Sequence, residues 1–362
     1  MKKQLSFISC SIALVMALSS CKKESSEKAS TTIKSLATLG LYQYQSGTAK
    51  RIFIPITKVG TQAVTYYSVF DTGSSGMTLD ANGILPASMI TSSGITFTGD
   101  SVVVNGITVT NKTSTMSYGD ATSTTKEYGN LAYAPITIGD ANGNITTKRI
   151  PFFLYYKIMN TTTNTQLPAH AADIFGVAPG TSYASTLIAS PLSYFDLDAN
   201  LTQGFRLAML NSAAFSTSGT YVAGLLSIGL TPTDVSTETG FIMHPLSTSL
   251  FTGYSPNIQS TITYNGTTTT GPVLFDTGNP SVSIIENIKE NAVGDLPENS
   301  TVTITTNRGF TYTYTTTSTS NLTTIQNPNN TQDYRTILSL DFFIKNEYLT
   351  DYTNHRIGLK NN

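Results

Sequence analysis

Charge is scarce. The 362 residues hold 21 Lys and Arg against 22 Asp and Glu, 12% in all, with a net charge of −1. That is about half the charged share of an ordinary globular protein, and it leaves no basic field to hold nucleic acid. Tryptophan is absent, and Cys10 and Cys21 are the two cysteines, too few for a disulfide framework. No apolar run approaches the ~20 residues a bilayer-spanning helix needs. His170, His244 and His355 show no close metal-ligand spacing, so neither a metal nor a cofactor is expected, and these side chains read as surface or capping groups. No Gly-x-Ser-x-Gly turn marks a serine nucleophile. What is plentiful is Thr, Ser, Tyr and Gly within a 39% hydrophobic chain. That composition suits many short strands around a sizeable core, and the expected class is all-β.

The N-terminus carries Lys2 and Lys3, an apolar run over residues 12–18, and then Leu18-Ser19-Ser20-Cys21. This is the order of a secretory signal. The tetrapeptide resembles a bacterial lipobox, which implies cleavage before Cys21, a lipid on that cysteine, and a membrane-anchored protein in the cell envelope, at the outer membrane or cell surface. Residues 1–20 are then the signal, and the polar residues 21–48 a flexible tether. A first lobe is expected over residues 49–215 and a second over 216–362. Strand-like runs recur at residues 52–56, 64–70, 101–109, 133–138, 151–156, 221–228, 273–275, 302–305 and 310–316. Short helices are expected at 184–189 and 340–346.

One duplication stands out. Val69-Phe70-Asp71-Thr72-Gly73-Ser74-Ser75-Gly76 and Leu274-Phe275-Asp276-Thr277-Gly278-Asn279-Pro280-Ser281 lie 205 residues apart, far beyond a solenoid repeat, which points to two related lobes. In each, an apolar strand runs into Asp-Thr-Gly. An Asp there is partly desolvated, Gly lets backbone amides approach it, and Thr supplies an anchoring hydroxyl. A single copy is a common capped turn. Two copies meeting across an approximate twofold axis bring two carboxylates too close for both to ionise, so they share one proton. The ionised acid then draws a proton from water while its protonated partner polarises a carbonyl.

These segments resemble the pepsin-like aspartic proteases, and the split carboxylate pair of that family is the standard instance of the effect. The likeness extends to Met116-Ser117-Tyr118-Gly119-Asp120, similar to the family's flap. It also covers Asp173-Ile174-Phe175-Gly176-Val177-Ala178, and Ile337-Leu338-Ser339-Leu340-Asp341-Phe342 with the chain end near residue 360. The resemblance implies a bilobal, mainly antiparallel fold with Asp71 and Asp276 as the catalytic dyad. Thr72 and Thr277 would grip across the lobes, Gly73 and Gly278 would complete the supporting loops, and Ser74 would bond the outer oxygen of Asp71. Tyr118 and Gly119 would cover a protein or peptide substrate.

Three positions depart from the family pattern. Asn279 replaces the usual Ser or Thr, removing a hydroxyl donor from Asp276 unless the amide substitutes; Thr78 stands where Trp is common; Ser339 stands where Gly is usual. The expected function is a lipid-anchored, monomeric aspartic endopeptidase. The alternative is a catalytically silent lipoprotein of the same fold that binds peptide or envelope glycan.

Overall fold

The computed structural model describes residues 33–119, 124–291 and 293–361. The signal segment, Cys21 and Asp120 fall outside these. Among the described residues the regular structure is nearly all strand, as composition suggested. Period-two alternation builds it: Ile52, Ile54 and Ile56 are each 0% exposed, on a strand where Arg51, Phe53 and Thr57 are partly exposed. The hairpin Thr301–Thr306 and Thr311–Thr315 buries Val302, Ile304, Tyr312 and Tyr314 on one face. Its other face carries a Thr303–Thr313 hydroxyl contact of 2.9 Å. Such Thr/Tyr-rich strands fit a pleated, half-buried surface.

Two large sheets result. The first has fifteen strands and draws on both halves of the chain: Thr202–Leu207, Thr220–Leu230, Asn346–Asp351 and Arg356–Asn361 join the strands of the first half. The second, of eight strands, lies within residues 258–338.

Five expectations need correction. Residues 37–46 of the expected tether form strand Ala37–Ser46, paired to Ala49–Val59 on one side and Thr220–Leu230 on the other. Leu39, Leu41 and Gln43 alternate inward there, and the Gln43 amide both donates to Asn211 O (2.7 Å) and accepts from Asn211 N (3.0 Å). The single strand expected over 101–109 is a hairpin turning at Asn105-Gly106, whose φ values of 52° and 71° mark the left-handed pair that tight hairpins require. Residues 185–189 are strand, not helix; β-branched Thr186 and Ile188 decide a run too short for periodicity to resolve. Residues 340–344 form a 3-10 helix that ends before Asn346. His244 is also not a surface group: it is 1% exposed, with Nε2 at 2.8 Å from Thr306 Oγ1.

The duplication is visible in three dimensions. Strand Gln62–Asp71 enters the first Asp-Thr-Gly and Ser75–Asp80 leaves it. Ile174–Val177 lies between them, parallel to the first and antiparallel to the second. In the second copy Thr267–Phe275 enters, Val282–Glu286 leaves, and Thr336–Leu338 takes the middle place. Phe175 opposite Phe70 corresponds to Leu338 opposite Phe275, so Ser339 is the counterpart of Gly176. A Cβ on Gly176 would lie 2.5 Å from Gly76 O. The second copy keeps only the Ile284–Ile337 pairing at that point; this looser packing admits a serine, whose hydroxyl accepts from Ser283 Oγ at 3.3 Å.

Candidate active site

Two buried threonines join the loops. The Thr72 hydroxyl donates to Phe275 O (2.7 Å) and accepts from Thr277 N (3.0 Å). Reciprocally, the Thr277 hydroxyl donates to Phe70 O (2.7 Å) and accepts from Thr72 N (3.0 Å). Both residues are 0% exposed, so these bonds form away from competing water, where losing one leaves a costly orphan. A second tie lies nearby: Lys50 Nζ pairs with Asp341 Oδ1 at 2.8 Å, and Lys50 N donates to Pro280 O at 2.9 Å.

This grip places each glycine against the opposite carboxylate. A Cβ on Gly73 would sit 2.5 Å from Asp276 Cγ, and one on Gly278 would sit 2.6 Å from Asp71 Oδ1. Neither contact tolerates a side chain, so the glycines are required by space. Each carboxyl group thus lies against the opposite loop, close enough for the charge of Asp71 to act on Asp276.

Their surroundings differ. Asp71, 7% exposed, accepts from Gly73 N (2.7 Å) and Ser74 N (3.2 Å) at Oδ1 and from the Ser74 hydroxyl (2.6 Å) at Oδ2. Asp276 accepts from Gly278 N at 2.7 Å. Asn279 does not replace the missing hydroxyl, because its amide donates to Val282 O at 2.8 Å. Burial first, and then the neighbouring charge of Asp71, raise the Asp276 carboxyl well above the ordinary carboxylate range. An arrangement with one carboxylate held by three hydrogen-bond donors and a proton-holding acid close to it is able to act as base and acid at once.

The expected flap residues lie on the hairpin of Ile107–Gly119 and Thr124–Asp140. Tyr118 is held deep enough that burial, followed by the nearby Glu127 carboxyl, pushes its hydroxyl well above the usual phenol range. Thr78 lies close enough to act on the Tyr118 hydroxyl. The Thr78 hydroxyl also donates to Glu127 Oε1 at 3.3 Å. Glu127 is 0% exposed, its Oε2 has no partner among the described residues, and burial raises its carboxyl strongly; a neutral Glu is the state such a site favours. Gly119 is exposed, with φ of 108°.

Sequence reading missed Arg51, Lys50 and Glu127. Arg51 Nη1 donates to Gly278 O; burial weakens the guanidinium's hold on its proton, while the charges of Asp71 and Asp276 oppose that change. The signal for Lys50 was its inward register with Ile52 and Ile54, which demands a buried partner. Glu127 had the same signal, sharing its strand face with Gly129 and Leu131.

No family model matches the chain, and no curated protein matches it. Among solved structures it is similar to the aspartic proteinase from Irpex lacteus, with a TM-score of 0.55 at 17% identity, covering 90% of this chain and 97% of that one. The fold is therefore the bilobal, pepsin-like all-β fold.

Proposed function

We propose that the chain is an aspartic endopeptidase whose dyad is Asp71 and Asp276. The observation that carries this reading is the placement of each carboxyl group against the opposite Asp-Thr-Gly loop under unequal hydrogen bonding, which supports one shared proton held mainly on Asp276. A water bound between the acids gives a proton to Asp71 as its oxygen attacks the scissile carbonyl carbon, while Asp276 protonates the carbonyl oxygen. The resulting gem-diol collapses as Asp71 returns its proton to the amide nitrogen, the C–N bond breaks, and Asp276 recovers a proton from a hydroxyl. The products are a carboxylic acid and an amine, and no covalent enzyme intermediate forms. The peptide lies extended under Tyr118 and Gly119, with its backbone paired to strand edges. A lipid on Cys21 would hold the domain at the cell envelope.

Asn279 turning away from Asp276 favours a second reading, a silent binding module of the same fold. Digestion of an unfolded protein across pH, with and without a hydroxyl-bearing transition-state mimic of peptide hydrolysis, separates the two. Cleavage blocked by the mimic supports the enzyme. Tight binding of the mimic or of peptide without cleavage selects the binding module, and the absence of both cleavage and binding overturns the dyad reading.

A further inference from the structure

We propose that Arg51 is a specificity residue that receives the carboxylate of an acidic substrate side chain close to the scissile bond. This rests on the endopeptidase reading and names its substrate class.

Lys50 and Arg51 are adjacent on strand Ala49–Val59 and point to opposite faces. The Lys50 ammonium is committed to Asp341, with both side chains under 10% exposed. Arg51 points instead toward the loop of the second acid, where it donates to Gly278 O. Gly278 is the residue whose Cα abuts the Asp71 carboxyl, so the guanidinium sits beside the pair, and its charge is felt by both acids. It forms an ion pair with neither. Arg206, Arg335 and Arg356 each bond a carboxylate, whereas Arg51 has no carboxylate partner among the described residues. Arg335 also lies within range of Asp276, but its fork is occupied by Asp333.

A guanidinium has five N–H donors, and the described residues engage Arg51 through Gly278 O. It is half-buried. A partly desolvated cation with open donors attracts a carboxylate more strongly than a fully hydrated one does, and its planar fork matches that group's two oxygens. Because Gly278 O holds the guanidinium in place, little side-chain freedom is lost when a substrate carboxylate arrives. Each acid accepts from its own loop, and Arg51 pairs with neither.

The test uses internally quenched peptides identical except for Glu, Gln or Lys at one of the four positions on either side of the cleaved bond. The wild-type enzyme is expected to favour Glu over Gln in kcat/KM by about tenfold at one of these positions. Arg51→Gln should bring that ratio to about one, and Arg51→Glu should turn it in favour of Lys. Ratios measured on one preparation do not depend on the fraction of folded enzyme. They also separate recognition of a substrate charge from a change in dyad acidity, which would move all three peptides together. Cleavage without a Glu preference, or a preference that survives Arg51→Gln, overturns the inference alone. Failure to cleave any peptide or unfolded protein overturns the endopeptidase reading and this inference with it.

Discussion

Asn279→Ser isolates the asymmetry of the two acids. The Asn279 side chain bonds Val282 O, so Asp276 has Gly278 N as its loop donor, while Asp71 has three donors, one of them a hydroxyl. A serine at this position would place a hydroxyl as Ser74 does beside Asp71. A hydrogen bond to a charged group contributes about 1.5–3 kcal/mol, equivalent to about 1–2 pH units. Partial solvent access at Asp276 argues for the lower end, about 1 unit. The sign follows from which form gains: the new bond favours ionised Asp276, so its proton leaves at lower pH. The basic limb of the kcat/KM profile should therefore move about 1 unit toward acid, with the acid limb little changed. Asn279→Ala should leave the basic limb in place and lower stability by about 1 kcal/mol, because Val282 O loses its donor. A basic limb that stays fixed or moves to higher pH in Asn279→Ser would refute the reasoning.

Two further outcomes follow from the buried polar groups. Thr277→Val removes the hydroxyl that donates to Phe70 O and accepts from Thr72 N; it should cost about 2–4 kcal/mol in urea unfolding, with Thr277→Ser losing under about 1, and equal losses would count against the grip. Stability should also fall as pH rises. Glu286 is 8% exposed, and burial carries its carboxyl from the ordinary 4.5 up to about 7; Glu127 is raised by burial as well. A carboxyl raised in the folded state gives stability that is complete below the ordinary value and is lost as pH climbs through the raised one. For Glu286 the full shift corresponds to about 3 kcal/mol, reduced to about 1–2 by nearby solvent. Glu286→Gln should therefore flatten thermal stability between pH 4.5 and 7, and an unchanged slope would contradict the assignment.

Much of the site was legible because it is written in local motifs. The two Asp-Thr-Gly strings, their apolar lead-in strands and their 205-residue offset were enough to anticipate the pairing of Asp71 with Asp276 and of Thr72 with Thr277. The glycines were understood only in part. Sequence suggested they free the backbone to approach its own carboxylate, whereas the structure shows that each also clears space for the opposite one. Long-range partners were not legible. Nothing near Lys50 indicates Asp341, 291 residues away, and nothing near Thr78 indicates that Glu127 sits behind it. The strand at residues 37–46 was hidden by the polar composition preceding it, although Leu39, Leu41 and Gln43 already alternate. Asn105-Gly106 is a readable hairpin signal inside the apolar run of residues 101–109.

The shared proton of Asp71 and Asp276 is tested most directly by substituting each acid separately. Cleavage of an unfolded protein at the wild-type pH optimum should fall by at least about a thousandfold in both Asp71→Asn and Asp276→Asn, with the circular dichroism spectrum and melting temperature retained. Either variant cleaving at the wild-type rate would contradict the account.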